Sequence, residues 1–174
     1  MAEPLIALVD SSDNIIGYGD KQQVHIDGTL HRAFSILICN GKGEMLIHQR
    51  AHEKYHSPGL WTNACCSHLT ESEQMETVTN ERLLHEMGFS CPLEHLFTFH
   101  YRVEFDNGLV ENEMDWVYLG RFDGNPNPNP NEVAAWKWVS IEFLVNDIEK
   151  NPDHYTYWFR YIMQKYKHKA VSYT

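Results

Sequence analysis

The sequence predicts an α+β fold in which helices flank a mixed β-sheet. Three observations predict it. Six segments rich in β-branched and aromatic residues are bounded by turn signals. A helix start-and-stop signature lies between the third and fourth of them. Two further helical patterns close the chain. Strands joined both by tight turns and through a helix build a sheet of mixed direction with helices packed on it.

The strand segments span residues 5–9, 33–39, 45–49, 96–105, 109–122 and 134–139. Asn40-Gly41-Lys42-Gly43 separates the second from the third, and Asp106-Asn107-Gly108 separates the fourth from the fifth. Both read as hairpin turns. Thr70 followed by Glu73 has the spacing of a capping box, so the middle helix is expected to run from residue 70 to Met87, with Gly88 as its stop. Residues 141–149 and 153–167 read as the closing helices. In the last, Tyr155, Trp158, Phe159, Ile162 and Tyr166 recur on one face. Residues 125–131 alternate Asn and Pro, which holds the backbone extended and marks an exposed loop rather than a linker.

The chain has 174 residues, the size of one domain spanning 1–174, enough to bury a full core without disulfides. Its net charge of −10 argues against sequence-independent nucleic-acid binding, which needs clustered Lys and Arg. A small anionic substrate remains compatible, because a few local cations reverse the local field. No run of about 18 apolar residues exists, so no membrane span is expected. The acidic, short apolar start is unlike a secretory signal, and a cytoplasmic protein is expected. The four cysteines, Cys39, Cys65, Cys66 and Cys91, are then free thiols.

His25, His31 and His68 offer imidazoles, and Glu111 and Glu113 sit two apart in a strand, where side chains share a face. Such a set suits a divalent transition metal if it converges, which spacing alone does not show. Arg82 and Glu86 are four apart on the middle helix and also share a face, as an ordinary helical ion pair would.

The order and spacing of four stretches resemble the type 1, metal-dependent isopentenyl diphosphate isomerases: Lys21 to His25 leading to His31-Arg32-Ala33-Phe34-Ser35; Gln49-Arg50-Ala51 leading to Pro58-Gly59-Leu60-Trp61-Thr62-Asn63; Cys65-Cys66-Ser67-His68; and Tyr101-Arg102 leading to Glu111-Asn112-Glu113. The resemblance covers nearly the whole chain. It implies a Nudix-like α/β/α sandwich and interconversion of isopentenyl and dimethylallyl diphosphate by protonation and deprotonation. It implies that His25, His31, His68, Glu111 and Glu113 hold one Zn²⁺ or Mn²⁺, and that Cys66, Glu113 and Tyr101 are catalytic. Lys21, Arg50, Lys54 and Arg82 would meet the diphosphate, and Glu86 a Mg²⁺ beside it. Trp158 would line the hydrocarbon end, although core packing is its ordinary role. The partner implied is a small prenyl diphosphate, handled by a monomer or weak homodimer.

The chemistry agrees with that set. Protonating an unactivated double bond makes a tertiary carbocation, so the site must exclude water and offer positive charge no nucleophile. An indole face stabilises such a cation by roughly 0.5–2 kcal/mol. Two proton carriers are needed, and a thiol and a carboxylate suit opposite tasks.

The middle helix is also a degenerate Nudix box. Glu73, Glu86 and Gly88 hold box-like positions, but Glu81-Arg82 is reversed and His85-Glu86 stands where paired glutamates belong. Losing those carboxylates weakens the metal cluster a pyrophosphohydrolase uses to activate water. An isomerase is therefore favoured over that alternative, and over a non-catalytic binding module, which needs no proton carriers. Two positions depart from the isomerase pattern: Leu69 and Tyr157 stand where proline is usual.

Overall fold

The computed structural model describes residues 3–172, with the side chains of the last helix described through Gln164. Among these residues nine strands form one mixed sheet. They are β1 (Ile6–Val9), β2 (Ile15–Gly19), β3 (His31–Cys39), β4 (Glu44–Arg50), β5 (Trp61–Thr62), β6 (Cys65–His68), β7 (Leu93–Glu104), β8 (Val110–Arg121) and β9 (Val133–Ser140). The helices are α1 (Lys21–Asp27), α2 (Met75–Met87), α3 (Ile141–Lys150) and α4 (Tyr157–Ser172). No helix among the described residues is long and apolar enough to cross a membrane.

β3 is the hub of the sheet. It runs parallel to β8 over its whole length and antiparallel to β1, β4 and β6. β8 carries β7 on its other edge, and β4 carries β9 and β5. β3 and β4 share only the rung from Cys39 to Met45, so this hairpin splays beyond its turn. The pocket described below is lined from both sides of that split, by Ser35 on β3 and Arg50 on β4.

Each sheet face has its own core. On one, Leu37, Ile47, Val117 and Leu119 pack with Leu144 of α3 and Phe159 and Ile162 of α4. On the other, Phe34, Ile36 and Cys65 pack with Val78, Leu83 and Met87 of α2. The result is the expected helix–sheet–helix sandwich. Phe34 and Phe159 are fully buried, one per face, and truncating either to Ala would cost roughly 3–5 kcal/mol.

The middle helix starts later than its capping signature predicts. Half of the capping box forms, because the Glu73 carboxylate accepts from Thr70 N at 3.1 Å. Thr70, however, is bridged to Ile6, and Glu71 N donates to Leu5 O. Ser72 then turns left-handed, at φ +67°. Thr70 is thus held as a sheet edge, and the helix begins at Met75. The final helix is corrected in the same sense. Pro152–His154 forms a separate 3₁₀ turn, Tyr155 bridges Trp61, and α4 follows. Phe159 and Ile162 point into the core as expected, whereas the side chain of Tyr166 lies outside the described residues.

The Asn–Pro loop is largely exposed but has a structural task. Asn127 N and Asn129 N donate to the carbonyls of Met87 and Glu86, two of the last acceptors of α2. Gly88 permits this approach, with φ +77° and a position where a Cβ would lie 2.3 Å from Asn127 O.

Candidate active site

Glu111, Glu113 and Asp115 alternate onto one face of β8, the face that carries α3 and α4. Strand pairing brings partners to Glu113. The parallel register with β3 places His31 beside it, and the antiparallel register with β7 places Tyr101 opposite. β6 runs antiparallel to β3, with His68 opposite Ala33 and Cys66 opposite Ser35. Adjacent residues of a strand face opposite ways, so Cys65 enters the α2-side core while Cys66 faces the pocket.

α1 delivers the remaining histidine. Asp20 caps this short helix by accepting from Gln23 N at 2.9 Å, and Gly28 ends it at φ +67°. His25 Nδ1 lies 2.6 Å from Lys21 O, and His31 Nδ1 lies 2.8 Å from Thr29 O. A carbonyl only accepts, so each Nδ1 carries the proton and each Nε2 lone pair faces inward. The ligand atoms of His25, His31, His68, Glu111 and Glu113 all lie within 4.8 Å of one another.

These donors fit a cation. His25 Nε2, His31 Nε2 and Glu111 Oε2 are buried without a hydrogen-bond partner, a cost of about 1–3 kcal/mol for each such atom. Three imidazoles and two carboxylates form a mixed nitrogen–oxygen set suited to a divalent transition metal. The cluster can therefore hold a divalent ion.

The charges are distributed unevenly. Burial and then the charge of Glu113 hold Glu111 well above the usual carboxylate range. Burial acts the same way on Glu113, but the imidazoles of His31 and His68 beside it outweigh burial and hold this carboxyl well below that range. His68 Nε2 is 3.1 Å and His31 Nε2 3.5 Å from Glu113 Oε1, while Tyr101 Oη donates to Oε2 at 2.7 Å. Burial pushes the Cys66 thiol up to about 12, against the opposing charge of Arg50, whose Nη1 lies 4.0 Å from the sulfur. Burial thus favours the neutral thiol of Cys66, which faces the same pocket as Glu113.

The remaining predicted residues line the same space, a half-open pocket of about 560 Å³ including its mouth. Lys21, Lys54, Arg82 and Glu86 all line it. Arg82 donates to Glu86 at 2.5 Å. Arg50 bonds the His56 carbonyl at 3.3 Å and lies over the Trp158 ring, 5.4 Å from its centroid. Trp158 is 3% exposed and packs in the α4-side core while also lining the pocket. Every candidate site residue named from the sequence lies in this pocket or in the histidine cluster at its wall.

A family profile for the NUDIX domain matches residues 29–160. An isopentenyl-diphosphate Delta-isomerase of Serratia proteamaculans is 43% identical over 162 residues, which is 93% of this chain and 90% of that one. The chain belongs to the Nudix-type isopentenyl-diphosphate Delta-isomerase family. A second family member, isopentenyl-diphosphate Delta-isomerase 2 of Photorhabdus laumondii, is 43% identical over 98% of this chain and 96% of its own. In fold alone, a Deinococcus radiodurans crystal structure matches with a TM-score of 0.78 at 17% identity, covering 92% of this chain and 98% of that one. A MutT protein of Methanosarcina mazei matches with a TM-score of 0.66 at 16% identity, covering 80% and 94%.

The first of the two departures from the isomerase pattern has a local explanation. Leu69 is 3% exposed and donates its N–H to Arg32 O at 3.2 Å, a bond proline cannot make. Tyr157 opens α4, with its ring centroid 5.9 Å from that of Tyr101. Three features of this isomerase-family site escaped the sequence reading. Glu132 pairs with Lys54 and lies 3.9 Å from Arg82. Asp115 accepts from Ser35 at 2.8 Å, directly below Glu113 on β8. His56 sits 3.2 Å from Glu111 Oε1, pushed down to about 2 by burial and by Arg50. Alternation along β8 could have flagged Asp115. His56 and Glu132 lie in loops and carry no periodic signal.

Proposed function

We propose that the protein interconverts isopentenyl and dimethylallyl diphosphate, with Cys66 and Glu113 as its two proton carriers. One observation carries the reading. A thiol and a phenol-bonded carboxylate face one half-open pocket that is also lined by a tryptophan and by Lys21, Arg50, Lys54 and Arg82.

The diphosphate is held by Lys21, Lys54, Arg50 and Arg82, with Glu86 and a Mg²⁺ beside it. A proton adds to the terminal methylene of isopentenyl diphosphate and leaves a tertiary cation at the next carbon. The Trp158 indole faces that cation without a lone pair to trap it. Loss of a proton from the carbon nearer the diphosphate completes the allylic product. Of Cys66 and the Glu113–Tyr101 pair, one delivers and the other accepts, and the reverse reaction exchanges the roles. His25, His31, His68, Glu111 and Glu113 hold one Zn²⁺ or Mn²⁺, whose charge favours the ionised form of Glu113. The pocket contribution of α2 supports isomerisation over pyrophosphate hydrolysis. Arg82 turns inward while Glu81 is exposed, so the helix offers the pocket one cation and one carboxylate rather than a carboxylate cluster.

The test is incubation of the metal-loaded protein with isopentenyl diphosphate and Mg²⁺. Allylic diphosphates solvolyse in acid and the homoallylic substrate does not, so an acid-labile product should accumulate to an equilibrium. Release of phosphate without that product would instead support a hydrolase.

A further inference from the structure

We propose that His56 is a positioning residue for the metal centre, one that aims Glu111 at the ion by holding the carboxylate oxygen the ion does not use. This rests on the five-ligand reading given above. Glu111 presents its two oxygens to different partners. Oε2 faces His25 Nε2 at 3.3 Å and His31 Nε2 at 3.9 Å, is buried, and has no hydrogen bond. Oε1 faces His56 Nε2 at 3.2 Å. A neutral imidazole has one N–H, and a carboxylate oxygen facing Nε2 fixes that hydrogen there. The approach of Nε2 thus engages Oε1 and leaves Oε2, which has no hydrogen-bond partner, as the free donor atom.

The ring is held so that it can do this. His56 stacks on Phe105 at 5.8 Å with 14° between planes and meets Trp158 edge-on at 5.9 Å. Arg50 fixes its backbone carbonyl at 3.3 Å. His56 thereby takes the part, for a carboxylate ligand, that Lys21 O and Thr29 O take for the ligating histidines. Outer contacts of this kind change metal affinity by about 10–100-fold when removed.

The test is titration of Zn²⁺ and of Mn²⁺ into metal-free protein, against a chelating indicator, with no substrate present. His56→Phe keeps a ring and loses the donor. His56→Gln keeps a donor and loses the ring, since the Gln amide nitrogen reaches about as far as Nε2. His56→Leu replaces the Phe variant should that protein fail to fold. His25→Ala, which removes a ligand, reports whether the site exists. The expected result is loss of binding in His25→Ala, about 10–100-fold weaker binding in His56→Phe, and recovery to within a few-fold of wild type in His56→Gln. Unchanged affinity in His56→Phe, with His25→Ala impaired, would overturn the role of His56 and leave the metal site standing. Equal loss in the Phe and Gln variants would also overturn it, because ring packing rather than the hydrogen bond would then matter. Unchanged affinity in His25→Ala would remove the five-ligand site itself.

Discussion

Tyr101 and Glu113 stand opposite each other on β7 and β8, and the phenol donates to Glu113 Oε2 at 2.7 Å while Oε1 faces His31 and His68. The carboxylate is thus divided, one oxygen on the metal side and one on the phenol side. A hydrogen bond to a charged group is worth about 1.5–3 kcal/mol, a factor of roughly 10–150. Tyr101→Phe should lower kcat by about that factor with metal content unchanged, measured by steady-state kinetics and elemental analysis. Glu113→Gln should lose both activity and metal affinity. Unchanged metal content in Glu113→Gln would strike it from the ligands.

The vicinal cysteines should separate cleanly. Cys66→Ala is expected to abolish turnover while sparing folding and metal content. Cys65, fully buried against α2, is expected to tolerate Ser or Ala with turnover retained and some stability lost. A near-normal rate in Cys66→Ala would sink the assignment and point to Cys65.

Acid should destabilise the fold through His48. Burial and then Arg50 push this histidine from 6.5 down to about 4. Between those values the unfolded chain binds a proton that the native state refuses. Its contribution to stability is therefore fully present above the unfolded value and is lost as pH falls toward about 4. The slope for one such group is at most about 1.4 kcal/mol per pH unit. Urea unfolding from pH 7 to pH 5 should show a steeper loss of stability in wild type than in His48→Gln. Parallel slopes would show that His48 is protonated alike in both states.

Gly88 should be irreplaceable. An L-residue in the left-handed region costs roughly 1–2 kcal/mol, before the contact with Asn127 O is counted. Gly88→Ala should lower stability by at least that amount in denaturant unfolding. Gly17→Ala, with nothing within 4 Å of the new methyl, should stay within about 0.5 kcal/mol of wild type. Equal effects would contradict both the backbone cost at Gly88 and its close approach to Asn127 O.

Much of this site is legible in the residues, and the rest is hidden for physical reasons. Glu111 and Glu113 are paired by the two-residue period of a strand, and Arg82 with Glu86 by the turn of a helix. Both periods are local and survive folding. The approach of His25 to His68 is not local, because it depends on α1, whose seven residues are too few for apolar periodicity to register. Asp20 followed by Gln23 is a capping signature that could have located that helix. The same kind of signature misled at Thr70, where pairing to β1 overrides the local preference. His56 shows the limit. Its position follows from the course of an irregular segment and from rings contributed by Phe105 and Trp158, residues distant in the chain.

The central claim is that one proton enters and another leaves the substrate in this pocket. Proton NMR of isopentenyl diphosphate with the metal-loaded protein and Mg²⁺ in deuterated water tests it most directly. The account predicts dimethylallyl diphosphate carrying deuterium in the newly formed methyl group, with no signal from Cys66→Ala. Product without solvent deuterium, or no conversion by folded and metal-loaded protein, would contradict it.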